Sequence, residues 1–255
     1  MRQDRALITL EGRIVISRAL AHPGWRVIRL LVTPTAQAAL RDALDAMPTD
    51  RRPALEVLSA EELTAAGGFQ FHQGCLAYAE RPEPVPWRQL DLEGSFTARD
   101  RTAHRRTVIV LDDVRDPDNV GSIFRSALAF GVRAVLLGPG CADPLYRKAI
   151  RTSMAATLSL PFAKLEPWPD ALDDLRARGF TLVAATPDAG TRELDAASER
   201  IRQSAAIALL VGSEGAGLSA AALARADECV RIPVGSAVDS LNVAVATAIL
   251  LYELR

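Results

Sequence analysis

The 255-residue chain reads as an α/β protein. A doubly wound parallel sheet is expected in its second part, preceded by a smaller α/β unit. Three observations predict this. After residue 107, short apolar runs alternate with stretches of helical period, the pattern of parallel strands joined by crossover helices. The first of those runs, VIVL at 108–111, is apolar at every position, as a strand covered on both faces requires. Between the two parts, residues 82–106 interrupt the pattern. Pro82, Pro84 and Pro86 come first and a polar run follows, which reads as a semi-rigid linker.

The small unit, residues 1–81, is built from short elements. Residues 7–21 are expected as one amphipathic helix, with Leu7, Leu10, Ile14 and Val15 opposite Glu11, Arg13 and Arg18. Residues 27–32 form a strand that Thr33-Pro34 ends. Residues 35–47 are helical, with Leu40 and Leu44 on one face. A short strand at 55–58, a helical turn at 61–66 stopped by Gly67-Gly68, and a strand at 75–79 complete the unit.

The large unit, residues 107–255, starts with the strand at 108–111. A loop follows, then a helix over 120–130, capped by Asp118 or Asn119 and stopped by Gly131. A strand at 132–137, helices at 146–157 and 169–178, and strands at 181–185 and 205–211 come next. The last strand, 229–234, leads through a loop into a final helix at 241–252.

Composition excludes several function classes. Apolar residues make up 49% and charged residues 24%, with a formal net charge of −1. No global basic field therefore announces a polyanionic partner. A local cluster, Arg99, Arg101, His104, Arg105 and Arg106, could touch a polyanion or simply be solvated. Cys75, Cys141 and Cys229 are odd in number and far apart, so they match neither a metal spacing nor a disulfide framework. His22, His72 and His104 add no ligand pattern. No metal, a reducing cytoplasmic setting and no membrane partner are expected. The start, MRQDRALITL, is too charged for a secretory leader. The longest apolar run, 243–252, is about half of a membrane span.

The chemistry is expected near the end of the chain. The apolar run 205–211 stops in Gly212-Ser213-Glu214-Gly215-Ala216-Gly217, and the last strand delivers Ser240, Leu241 and Asn242 into the final helix. Two loops leaving neighbouring parallel strands at their carboxyl ends form a crevice where open α/β sheets bind ligands. The final helix is apolar on nearly every face, so either the fold or a second subunit must cover it. Asn242 is its polar exception, facing the crevice or capping its own helix. The usual dinucleotide and nucleoside-triphosphate loops and the serine elbow are absent.

Three segments together carry a family resemblance. They are Asp116-Pro117-Asp118-Asn119-Val120-Gly121 with Arg125, then GSEGAGLS at 212–219, then IPV at 232–234 followed by SLNVAVATAI. They resemble the three motifs of the SPOUT superfamily, in the order of its SpoU/TrmH branch of RNA ribose 2'-O-methyltransferases. Asp118 stands where a glycine is common, and Phe124 where a smaller aliphatic residue is usual. More loosely, Glu11-Gly12 and Phe71-His72-Gln73-Gly74 resemble the ribosomal-protein-like RNA-binding domain that precedes the catalytic domain in that family.

The resemblance implies a deep trefoil knot in the C-terminal domain, a homodimer formed through it, and S-adenosylmethionine as cofactor. It implies an rRNA or tRNA substrate, with the first domain choosing the RNA. Gly212, Ile232 and Leu241 match the cofactor-contacting positions. Arg125, Asn119, Glu214, Ser240 and Asn242 match the catalytic set, with Arg125 central, as general base or as a stabiliser of developing charge. Glu214 would orient Arg125 or its own loop. Arg147, Lys148 and Arg151 fall in the segment that faces RNA, though a plain surface helix would look the same. Two other readings stand beside the ribose methyltransferase: a binding protein of this fold without turnover, and a nucleobase methyltransferase.

Overall fold

The computed structural model describes residues 7–68, 73–93, 106–188 and 190–255. Phe71 and His72, and the cluster of Arg99, Arg101, His104 and Arg105, lie outside them. The chain forms two compact units, Met1–Glu83 with Pro144–Ser159, and Pro84–Asp143 with Leu160–Arg255.

The smaller unit contains a four-stranded mixed sheet in the order β1-β4-β2-β3. Its elements are β1 (Leu7–Glu11), α1 (Arg13–Ala21), β2 (Val27–Val32), α2 (Pro34–Asp45), β3 (Ala54–Val57), α3 (Ala60–Gly67) and β4 (Cys75–Glu80). The single helix expected over 7–21 is corrected here. Residues 7–11 pair antiparallel with β4, and Gly12 at φ 94° breaks the chain before α1. Leu10 and Ile8 are buried at alternate positions, a strand period that the helical reading of Leu7, Leu10 and Ile14 overlooked. Ile14 itself is exposed. The other elements start where their caps dictate. Thr33 accepts from the Ala36 N–H with Pro34 in the first turn, and Ser59 and Glu62 make a reciprocal capping box.

The larger unit is an all-parallel seven-stranded sheet in the order β7-β6-β5-β10-β8-β11-β9. It begins with β5 (Arg106–Asp112), α4 (Pro117–Ala129) and β6 (Ala134–Leu137). The chain then contributes α5 (Arg147–Thr152) to the smaller unit. It returns with β7 (Phe162–Lys164), α6 (Ala171–Ala177), β8 (Thr181–Ala185), β9 (Arg192–Glu193) and α7 (Leu194–Arg202). It ends with β10 (Ala206–Gly212), α8 (Ala220–Leu223), β11 (Glu228–Arg231) and α9 (Val243–Glu253).

The core is what the continuous apolar strands demand. Val108, Val110, Leu136, Leu182, Ala208 and Leu210 are all fully buried in one cluster. Trp87 and Leu92, in the stretch expected as a spacer, join that cluster and are buried too. Three further expectations change. The helix expected over 146–157 stops at Thr152, because Met154 and Ala155 adopt left-handed backbone at φ 53° and 68°. The fold itself does not cover the final helix all round, so of the two covers expected only a second subunit is left: Val245, Ile249 and Tyr252 are 49%, 38% and 55% exposed in the single chain, on one face at helical spacing. Strands β7 and β9 and helices α7 and α8 were not anticipated, being short or, for α7, strongly charged.

Candidate active site

A crevice of about 610 Å³ opens at the carboxyl ends of β8, β10 and β11, within the size range of small-molecule sites. Its walls come from three loops. Thr186 and Pro187 follow β8, the glycine turn follows β10, and Ile232 to Leu241 follow β11. Val243, Ala246 and Leu250 of α9 close one side. The three positions expected to meet the cofactor, Gly212, Ile232 and Leu241, all line it, as do Glu214, Ser240 and Asn242. Sequence reading missed Thr186 and Pro187. Their signal was their place immediately after a strand whose neighbours already marked that edge of the sheet.

Gly212 has a stereochemical reason to be glycine. A β-carbon there would lie 2.1 Å from the Gly217 carbonyl carbon and 2.2 Å from the Leu218 nitrogen. Both are backbone atoms, so neither can swing aside. The turn is closed by two backbone bonds: the Ser213 N–H donates to the Gly217 oxygen at 3.1 Å, and the Gly217 N–H to the Ser213 oxygen at 3.0 Å. Gly215 and Gly217 have φ of 102° and 69°, which L side chains rarely adopt. At the far end, the Ser219 N–H donates to Asp112 Oδ2 at 2.8 Å.

The polar centre of the site is Asn242. Its side-chain oxygen accepts from the Ala244 and Val245 N–H groups at 2.9 and 3.3 Å, so it caps α9. Its amide nitrogen donates to Asn119 Oδ1 at 2.9 Å and to Glu214 Oε1. The two readings of Asn242, cap and crevice residue, therefore both hold, because an amide has an acceptor end and a donor end. One side chain ties together α4, the glycine turn and α9.

Asn119 takes part for a local reason. The expected cap, Asp118 or Asn119, is corrected to Asp116, whose carboxylate accepts from the Asp118 N–H at 2.9 Å, with Pro117 in the first turn. Asn119 is thereby released from capping, and its buried amide turns to Asn242. Glu214 bonds Asn242, not Arg125. Arg125 lies on the exposed side of α4, within two turns of Asn119, and its guanidinium has no hydrogen-bond partner among the described residues. Ser240 is exposed at the crevice rim and does not cap α9; Asn242 does.

Arg147, Lys148 and Arg151 lie on α5, in the smaller unit. Arg147 pairs with Glu11 at 3.3 Å, while Arg151 is exposed. That unit also holds the α5 segment by two side-chain bonds to its backbone, the first of them buried. The Trp25 indole donates to the Leu158 oxygen and the Arg18 guanidinium to the Met154 oxygen, each at 2.6 Å. The described residues contain no cluster of His, Cys, Asp and Glu able to hold a metal ion. No helix among them is long and apolar enough to cross a membrane. The three cysteines are free thiols; burial pushes Cys75 and Cys141 up to about 11, out of the reactive range.

Comparison with known proteins bears on the same residues. Residues 106–252 match the model of the SpoU rRNA Methylase family. An uncharacterized tRNA/rRNA methyltransferase of Mycobacterium bovis is 41% identical over 98% of this chain and 81% of its own length. A 23S rRNA guanosine 2'-O-methyltransferase of Bacillus subtilis is 31% identical over 96% of this chain and 87% of its own length. The AdoMet-bound rRNA methyltransferase of Sinorhizobium meliloti superposes with a TM-score of 0.75 at 26% identity, covering 100% of this chain and 88% of that one. With two of the family's motifs lining one crevice of a parallel sheet, the third joined to them through Asn119, and relatives spanning nearly its whole length, the chain belongs to the SpoU/TrmH family of RNA methyltransferases.

Proposed function

We propose that this protein transfers a methyl group from S-adenosylmethionine to a ribose 2'-hydroxyl of ribosomal or transfer RNA. The observation that carries the reading is the junction at Asn242, which joins α4, the glycine turn and α9 beside a crevice of cofactor size. The crevice fits the cofactor chemically. Gly212 presents bare backbone where a side chain would collide, and Ile232 and Leu241 offer apolar faces for an adenine ring. When bound, S-adenosylmethionine supplies an already activated methyl group on a sulfonium. The protein's own task is to position the ribose hydroxyl and to stabilise the charge it develops on losing its proton.

Arg125 suits the second task. Guanidinium stays protonated at neutral pH and offers five N–H donors in a fixed fork. We therefore assign Arg125 to stabilising the developing alkoxide or an adjacent phosphate, and not to accepting the proton. Asn119, Glu214 and Asn242 tie its helix to the glycine turn and to α9. Ser240 offers a hydroxyl at the rim for the cofactor or the target ribose. Arg147, Lys148 and Arg151 are assigned to phosphate contacts, and residues 1–81 to choosing the RNA. The exposed face of Val245, Ile249 and Tyr252, with Leu128 of α4 also exposed, supports a homodimer through the C-terminal helix. Three free thiols, one of them buried, support a reducing, cytoplasmic setting.

The test uses cofactor carrying a labelled methyl group, incubated with unmodified ribosomal and transfer RNA. Label resistant to alkaline cleavage at one linkage places the methyl on a 2'-oxygen and names the RNA class. Label on a base would move the target to a nucleobase. Cofactor binding without transfer to any RNA would favour a binding protein. Arg125→Ala should lower turnover by about 10²–10³-fold or more, while the cofactor Kd stays within a few-fold.

A further inference from the structure

A buried carboxylate outside the motif set is hydrogen-bonded to the end of the glycine turn. Asp112 ends β5, is only 2% exposed, and pairs in register with Gly212 of β10. Its Oδ2 accepts from the Ser219 N–H at 2.8 Å. A carboxylate taken this far from water needs a specific partner, and the partner here is the backbone at the end of the crevice turn. The turn is therefore pinned at two points. Near its start, Ser213 and Gly217 exchange backbone bonds. At its end, Ser219 is held by Asp112 and caps α8 through its hydroxyl, which accepts from Ala222 N–H at 3.3 Å. Between the pins Gly217 and Leu218 pass against Gly212, and the loop closed by the first pin presents Glu214 to Asn242. Releasing the Ser219 pin would let Gly217 and Leu218 lift from Gly212, and Glu214 with them.

We propose that Asp112 is a positioning residue for the cofactor: its hydrogen bond to Ser219 sets the height of the Gly212–Ser219 turn over the end of the sheet and so the shape of the crevice. This rests on the cofactor reading above. Asp112 does not line the crevice, so its action runs through the turn.

The experiment is calorimetric titration of the whole protein with S-adenosylmethionine, with thermal unfolding recorded on the same samples. Asp112→Ala should weaken binding by about tenfold or more at a temperature where the variant is fully folded, since a hydrogen bond to a charged group is lost. Asp112→Asn keeps an oxygen facing the Ser219 N–H and should restore affinity to within about threefold. Ser219→Pro removes the donor, and the hydroxyl cap of the four-residue α8 with it, while leaving Asp112 in place; the native φ of −62° suits proline. It should weaken binding as Asp112→Ala does, and it keeps the test available if the alanine variant does not fold. In turnover, Asp112→Ala should raise the cofactor KM more than it lowers kcat. Affinity unchanged in folded Asp112→Ala or in Ser219→Pro would overturn the inference. So would Asp112→Asn binding as weakly as Asp112→Ala, which would make the charge, not the hydrogen bond, responsible. Failure of the natural protein to bind the cofactor would instead sink the reading beneath it.

Discussion

Gly212 in the large unit and Gly12 in the small one are both glycines at a junction, and they are glycine for different reasons. At Gly212 the space for a side chain is filled by backbone at 2.1–2.2 Å. At Gly12 the backbone angle is the constraint, φ 94°, and an added β-carbon would meet only the Gln73 side chain, its oxygen at 3.1 Å and its Cδ at 3.6 Å. That oxygen accepts from the Arg13 N–H at 2.7 Å and sits on a side chain that can shift. The first glycine belongs to a site made of backbone, where no atom can give. The second belongs to a corner made of side chains, beside Glu11 and its partner Arg147, where small adjustments are affordable in energy. The contrast matches the proposed division of labour. A single cofactor needs one rigid shape, whereas an RNA surface is read through adaptable, charged side chains.

Substitutions can break or sharpen this contrast. The largest effect is expected from Gly212→Ala, which should abolish measurable cofactor binding by calorimetry, because the turn must move bodily to admit the methyl group. A Gly212→Ala protein that binds normally would mean that the turn is not the rigid half of the pair.

Asn242→Asp should come next. It keeps the oxygen that caps α9 but replaces the donor to Asn119 and Glu214 with a carboxylate facing Glu214. Loss of those two bonds and the like-charge contact should lower kcat by about 10–100-fold, about 1.4 kcal/mol per decade. The melting temperature should fall less than in Asn242→Ala, which loses the cap as well. Equal melting temperatures would show that the cap contributes nothing separable from the network.

Ile249→Lys should convert the proposed dimer into monomer in sedimentation, since it places a charge on the exposed apolar face of α9. The smallest effect on the crevice is expected from Gly12→Ala. Strain at positive φ should destabilise the small unit by about 1–3 kcal/mol, read by thermal unfolding. The cofactor Kd should stay within about twofold, the size of a neutral change on the 1.4 kcal/mol-per-decade scale. A large change in Kd would erase the contrast between the two glycines.

Much of this site was readable from residues alone. Gly212, Ile232, Leu241, Glu214, Ser240 and Asn242 were expected at the crevice, and they line it. All but Ile232, which only the family motif placed there, were readable because they lie at the end of a strand or in the loop that follows one, and parallel strands send such loops to one edge. Arg125 was found through the motif around it; nothing in its own position distinguishes it from another surface arginine. Where reading failed, short elements were at fault. β1 is five residues long, and its apolar positions fit a helical period as well as a strand period. Only pairing with β4 decides between them.

The sequence by itself determined the α/β class, the sheet edge that carries the site and the family, because these rest on local periodicity and on motifs contiguous in the chain. Tertiary structure alone decided three things. It turned Asn119 from a helix cap into the partner of Asn242, a contact between residues 123 apart in sequence. It joined Asp112 to Ser219, 107 residues away. And it assigned Pro144–Ser159, which reads as part of the second domain, to the smaller unit, through bonds such as that from Trp25 to Leu158. Each depends on which distant groups meet once the sheets close. A donor's chemical type is written in the sequence, but its acceptor is chosen by burial, where an unpaired polar group costs more than the chain's local preferences can offset.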